Sequence, residues 1–223
     1  MYIPSSFQVN EPEKLTAFMN DHSFATLVSY EAGVPFASHL PLRCFEDDDN
    51  RITLVGHMAI ANPQWKHFVE ENELLAIFHG PHSYISPTWY SVQTSVPTWN
   101  YASIHAYGMP KIISDEERVV SILAETVTFY EQGFDSPWSG ELPADYQAQL
   151  IKAIIAFEIR VTRIEGKYKL GQNRSEADRQ QVHDSLMASS QQNAIQLAQL
   201  MKAEGLACAE KAADESTEAS HEI

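Results

Sequence analysis

"ELLAIFHGPHSYISPTWYSVQTSVPTWNYASIHAYG", residues 73–108, is the stretch whose reading decides the fold. Its first eight residues, 73–80, are apolar and read as a buried strand. "SYISPTWY" and "TWNYASIHAYG" are two further β-rich runs. They are joined through residues 86–101, which hold Pro-Thr-Trp twice, at 87–89 and 97–99, each followed closely by a tyrosine, Tyr90 or Tyr101. Proline-marked turns bearing large flat side chains either close a core or wall a pocket for a flat ligand.

Upstream, residues 11–20 predict a helix with Asn10 as its cap, Pro12 in the first turn and Leu15, Phe18 and Met19 on one apolar face. "FATLVSY" (24–30) reads as a strand, "EAG" (31–33) as a turn and "VPFASHLPLRCF" (34–45) as a second strand. Pro35 and Pro41 put that second strand near a sheet edge or break it with a bulge. An acidic hairpin loop (46–50) leads into a third strand, 51–57, and residues 61–72 predict a helix capped by Asn62 with Pro63 in its first position. Downstream, Ser114 and Glu117 form a capping box for a helix over 115–132, and 154–166 is the clearest late strand. From Ser175 to about 205 the composition is helical, and 206–223 reads as a disordered acidic tail. One helix, then mostly strands, then helices predicts a mainly β or α+β fold: a domain over 1–174, a helical extension over 175–205 and the tail.

The chain has 223 residues, 44% of them hydrophobic, and a formal charge of −15. That balance repels phosphate backbones on average and disfavours non-specific nucleic-acid binding. Cys44 and Cys208 form no C-x-x-C pair, which excludes zinc ribbons and thioredoxin-like motifs and suits a reducing cytosol. No basic-then-apolar leader opens the sequence, and no apolar run reaches the ~20 residues that cross a bilayer. The expectation is a soluble cytoplasmic protein.

Three stretches invite a functional reading. In "VGHMAIANPQWK" (55–66) a strand runs into a helix start after Asn62 and Pro63, where free N–H groups attract anions and His57 and Lys66 add positive charge. The same junction also reads as an ordinary capped turn. In "EGKYKLGQNR" (165–174), alternation places Lys167 and Lys169 on one face, with Arg174 and the amides of Gln172 and Asn173 nearby. An exposed strand end with solvated lysines accounts for the same residues. His79, His82 and His105 share one β-rich region, but "HGPH" cannot set two rings on one helix face, so structural histidines are expected and no metal site. No G-x-S-x-G elbow, Walker loop or G-x-G-x-x-G occurs, so catalytic residues stay unassigned.

Seven stretches in collinear order carry a resemblance: "MYIPSSF", "FATLVS", "ASHLPL", "GHMAIANPQW", "AIFHGPHSYISPTWY", "VPTWNYASIHAYG" and "IEGKYKLGQN". Over about residues 1–205 the chain resembles the PaiB-type family of FMN-binding split-barrel proteins, described as negative transcriptional regulators. The resemblance implies a six-stranded split β-barrel with flanking helices, a homodimer, and FMN at the dimer interface. It places Gly56, His57, Asn62, Trp65 and Lys66 near the ribityl-phosphate arm. Trp89 and Trp99 would stand beside the isoalloxazine or the partner chain, with Asn100 and Tyr101 as polar edge contacts. Lys167, Lys169, Gln172 and Asn173 complete the candidate cofactor set. The chain departs from the family's "GHMARANPQW" at Ile60, where the family has arginine, and from "KLSQN" at Gly171, where it has serine. One cation and one hydroxyl are thereby lost, and Arg43, Lys66 or the 167–174 run are the candidates to replace them.

The resemblance implies a flavin-dependent sensor or transcriptional regulator, with a flavin-dependent oxidoreductase as the alternative and a haem-binding split barrel as a further one. Direct DNA binding has the acidic charge against it and no helix-turn-helix or basic helix in its favour, so regulation would work through a protein partner or a small basic dimer surface.

Overall fold

In the computed structural model, residues 1–69, 72–91 and 94–208 are described. Among them are eight strands and five α-helices. They are β1 (Gln8–Val9), α1 (Pro12–Asp21), β2 (Phe24–Glu31), β3 (Val34–Pro41), β4 (Arg43–Glu46), β5 (Ile52–Ala59) and β6 (Leu74–Ile85). There follow β7 (Thr98–Ile113), α2 (Glu116–Glu131), α3 (Ala144–Ile151), β8 (Ile154–Lys169), α4 (Glu176–Met187) and α5 (Gln192–Ala203). The sheet runs β3-β2-β6-β7-β8-β5-β4, and β1 pairs with β8.

The first hairpin shows how sequence sets register. Ala32 (φ 49°) and Gly33 (φ 84°) both take the left-handed conformation of a two-residue turn whose twist matches the strands it joins. Glu31 therefore faces Val34, and pairing runs on to Phe24 opposite Pro41. β3 is an end strand of the sheet order, the position its prolines predicted. The predicted strand over 34–45 is broken at Leu42, the residue after Pro41, whose N–H donates to the Ser23 carbonyl at 2.8 Å.

The chain divides into two compact units: Met1–Gly80 with Ala102–Tyr168, and Pro81–Tyr101 with the chain from Lys169 onward. The first unit has its core on Met19, Leu27, Leu42, Leu54, Phe78, Ile104 and Phe157, all fully buried. Gly56 belongs to this packing: a Cβ there would lie 2.7 Å from Leu42 Cδ2 and 3.1 Å from the Pro41 carbonyl. α2 covers one sheet face by packing Val119 and Ile122 against Val55 and Ala156. Asn20, at the end of α1, closes the β4 edge with its amide. Its Nδ2 donates to the Cys44 carbonyl and its Oδ1 accepts from the Cys44 N–H, each at 3.1 Å. The second unit buries Ile85, Leu170, Leu186, Leu197 and Met201, the last three from α4 and α5.

Several sequence expectations need correcting. Glu11, not Asn10, is the N-cap of α1, and its side chain makes no cap bond. Asp115, not Ser114, caps α2 by accepting from the Arg118 N–H at 2.7 Å, so the capping box is absent. The helix expected over 61–72 is a five-residue 3-10 turn, Pro63–His67. β6 and β8 run on to Ile85 and Lys169, beyond the predicted 80 and 166. β1 and α3 were not anticipated, and the sheet has eight strands where six were implied. Leu206 to Cys208 stay tied to the helices, through the Arg179 Nε bond to the Leu206 carbonyl and the Cys208 N–H bond to Gln180 Oε1. The remainder of the predicted tail, 209–223, lies outside the described residues, as do Glu70 and Glu71.

Candidate functional site

The predicted residues fall into two groups, one in each unit. In the first unit, β5 delivers the 3-10 turn Pro63–His67. Asn62 caps it, accepting from the Gln64 N–H at 3.0 Å while its Nδ2 donates to Ser38 Oγ at 2.8 Å. Both ends of the Asn62 amide are thus engaged in holding the turn. Gln64 is fully buried, and its Nε2 donates to the Leu27 carbonyl (2.9 Å), Ser29 Oγ (3.2 Å) and the Phe36 carbonyl (3.3 Å). His67 is held between Ser29 Oγ at Nδ1 (2.8 Å) and Glu31 Oε2 at Nε2 (2.6 Å). These buried bonds fix the turn against β2 and β3.

On that anchored turn, Trp65 is half-buried, with its Nε1–H donating to the Ile60 carbonyl at 2.9 Å. Lys66 is exposed, its ammonium 5.8 Å from the Trp65 ring. A five-residue 3-10 turn is too short for a helix-dipole anion site, so a phosphate here depends on the Lys66 charge. His57 lies on the β5 face shared with Val55, and burial pushes its imidazole below the ordinary histidine value. Gly56 is packed against Leu42, Pro41 and Phe157, which leave no room for a side chain there. Lys167 is buried, with Nζ donating to the Tyr2 carbonyl at 3.0 Å.

In the second unit, Trp99 is 53% exposed. His82 and Tyr84 flank it, their ring centroids 6.1 Å and 6.2 Å away, the tyrosine edge-on. Lys169 braces the strand beneath, bonding Thr98 Oγ1 and, at 2.7 Å, the Trp99 carbonyl. Asn100 is buried, and Gln172 Oε1 accepts from the Leu170 N–H at 2.8 Å. Asn173 is exposed and Tyr101 half-buried.

The two Pro-Thr-Trp copies differ. The first forms a 3-10 turn, Pro87–Trp89, capped by Ser86. Its loop is pinned by Asp178, which accepts from the Ser91 N–H (2.8 Å) and Ser91 Oγ (2.7 Å), and by Arg174, 4.2 Å from the centre of the Tyr90 ring. Those hydrogen bonds from Ser91 hold the Asp178 carboxyl below its ordinary value. The second copy enters β7 and leaves its indole in the open. Sequence reasoning missed Gln64, His67, Tyr84 and Asp178, and read His82 only as a structural histidine. Their side chains act through partners distant in the chain, which no local pattern reports.

Comparison with known proteins decides the family. The family described as "Putative FMN-binding domain" matches residues 1–163. The chain is 40% identical over 208 residues to the Protease synthase and sporulation protein PAI 2 of Bacillus subtilis (strain 168), covering 91% of this chain and 97% of that protein. This chain belongs to the PaiB-type FMN-binding family. FMN is the cofactor that membership assigns to it. It is also 32% identical to the uncharacterised protein AN0679 of Emericella nidulans, over 66% of this chain and 72% of that one.

Among solved structures, the flavocytochrome Anf3 of Azotobacter vinelandii superposes with a TM-score of 0.57 at 18% identity, covering 74% of this chain and 70% of that one. The FAD and heme binding protein of Mycobacterium smegmatis gives 0.57 at 16% identity, over 77% and 78%. These likenesses support the split-barrel fold. Among the described residues no helix is long and apolar enough to cross a membrane.

The residues present suit the cofactor in two respects. An indole more than half exposed beside two other rings suits a planar ring, and an exposed lysine on a rigid turn suits a phosphate. When bound, a flavin supplies one- or two-electron transfer.

Proposed function

We propose that this protein is a flavin-dependent sensor whose output is regulatory and passes through a protein partner, not through direct contact with DNA. The observation that carries this reading is the exposed Trp99 platform in a chain that belongs to an FMN-binding family. The name of the Bacillus subtilis relative, which refers to a protease synthase and to sporulation, is compatible with a regulatory role. The formal charge of −15 argues against a DNA-binding surface.

In this reading Trp99 stacks on a planar ring, with Trp89, Asn100, Tyr101, Gln172 and Asn173 shaping its surroundings and Lys169 fixing the strand. In the other unit Trp65 and Lys66 offer a ring and a cation suited to a phosphate group, with His57, Asn62 and Lys167 holding the scaffold of that unit. The protein works as a cytoplasmic homodimer. The dimer is supported by the β2–β3 hairpin, which presents Phe24, Tyr30 and Val34 at 59–67% exposure beside an end strand of the sheet.

The alternative, an oxidoreductase, differs in turnover. FMN-loaded protein is mixed with NADH or NADPH under air and reductant consumption is followed. A sensor consumes it no faster than free FMN, whereas sustained turnover well above that rate overturns the sensor in favour of the enzyme. Light scattering on Phe24→Glu tests the dimer: the variant is expected to run as a folded monomer, and an unchanged dimer rejects this surface.

A further inference from the structure

We infer that the groove between α2 and β4 is a second ligand site, for a small carboxylate carried on a flat apolar body, with the Arg43 guanidinium as its anion partner. Arg43 stacks 3.5 Å from the centre of the Phe129 ring and 5.2 Å from that of Phe45. The two rings fix the plane of the guanidinium and leave its edge donors for hydrogen bonding.

Those donors are largely unused. Nε is buried and has no hydrogen-bond partner, and Nη1 reaches the Glu125 carbonyl only at 3.5 Å. A guanidinium carries five N–H donors in a rigid fork, and a buried one left unpaired is costly. Burial also works against its charge, holding the group below the ordinary arginine value.

Among the described residues no carboxylate makes a salt bridge to Arg43, although Glu125 favours its charge from nearby. Glu125 lies nearest, but its Oε1 accepts from Arg118 Nη1 at 2.9 Å and from Ser121 Oγ at 2.6 Å. Two guanidinium groups thus share one carboxylate, a local net charge of +1 in a protein of −15. The groove beside Arg43 has a volume of about 470 Å³ and is lined by Phe45, Ser121, Glu125, Phe129 and Gln132. The groove is shallow and open to solvent, so a ligand there lies against the rings with one face in water.

The ligand's chemistry follows from the donor set. A planar carboxylate matches the guanidinium fork with two parallel bonds, and its flat body lies along the phenyl rings. A phosphate dianion fits less well, because the Glu125 carboxylate stands in the same groove. The site therefore selects a monoanion. None of the residues assigned to the flavin in the proposed function lines it, and Arg43, a candidate replacement for the cation lost at Ile60, is assigned to this second ligand instead.

The test uses the FMN-loaded protein and benzoate, with benzamide as the uncharged probe of the same shape. Binding is followed by the ¹⁵N–¹H resonance of Arg43 Nε and by thermal unfolding, and the flavin spectrum is monitored throughout. Benzoate is expected to bind as a weak fragment, with Kd on the order of 1 mM. It should shift the Nε signal, raise Tm and leave the flavin spectrum unchanged, while benzamide does none of these.

Arg43→Lys should weaken benzoate binding about tenfold, since an ammonium lacks the fork. If that variant fails to fold, Ala124→Trp serves instead. Ala124 is exposed on α2 and lines the groove, so a tryptophan there obstructs it without touching Arg43, again with about tenfold loss. The proposal is overturned by equal response to benzoate and benzamide, by no response to benzoate, by flavin displacement, or by undiminished binding in Ala124→Trp.

Discussion

Replacing Asn20 with leucine removes the amide that closes the β4 edge. Two bonds disappear, Nδ2 to the Cys44 carbonyl and the Cys44 N–H to Oδ1, both 3.1 Å. Each neutral bond contributes about 1 kcal/mol, and a strand N–H or C=O left without a partner costs up to about 3 kcal/mol if water cannot reach it. Asn20 is half-buried, so water repairs part of the loss, and the expected destabilisation is about 2–4 kcal/mol. For a chain of this size that lowers Tm by roughly 4–16 °C.

Asn20→Asp separates the bonds from the packing. At neutral pH its carboxylate still accepts from the Cys44 N–H but opposes the carbonyl, so one bond becomes a repulsion. That repulsion raises the carboxyl's folded-state pKa, because the neutral acid can donate to the carbonyl as the amide did. The variant's deficit is therefore largest at neutral pH and shrinks as pH falls through that raised value. The assay is urea unfolding of wild type and both variants at pH 7 and pH 4.5. An Asn20→Leu variant within about 0.5 kcal/mol of wild type refutes the edge-closing role. So does an Asn20→Asp deficit that does not change with pH.

Three further outcomes follow from the same geometry. Asp178→Asn should loosen the loop around Ser91 and speed chymotryptic cleavage after Trp89 or Tyr90. In wild type the anchor is present above the ordinary aspartate value of 3.8, because the folded value is depressed, and is lost only as pH falls below it. Cys44 is buried and its thiol is pushed up to about 12, so iodoacetamide at pH 8 should alkylate exposed Cys208 and spare Cys44 until the protein unfolds, as peptide mass analysis would show. Gln64→Glu should cost at least about 3 kcal/mol in urea unfolding, because an acceptor-only carboxylate would be buried against the carbonyls of Leu27 and Phe36.

What the sequence disclosed was local. Helical spacing of Val119, Ile122 and Leu123 located α2, and the β-rich composition of 73–108 located β6 and β7. Element ends were less legible. Ser114 and Asp115 both suit a cap, and only the three-dimensional path selects Asp115. Residues 61–72 carry a valid start signal, yet bonds from Gln64 and His67 to the first hairpin hold the segment to a single short turn. Lys167 reads as a surface cation because sequence cannot show that the Tyr2 carbonyl folds back onto it. Trp99 and Trp89 share one tripeptide, and tertiary contacts alone tell the exposed indole from the one on the pinned loop.

The site assignment is tested most directly by titrating wild type, Trp99→Ala and Lys66→Ala with FMN, following flavin absorbance and tryptophan fluorescence. One FMN should bind per wild-type chain. Each variant should bind at least about tenfold more weakly while keeping its thermal stability. Wild type that binds FMN while both variants bind it equally well would place the flavin elsewhere on the protein, and no flavin signal in wild type would contradict the account at its root.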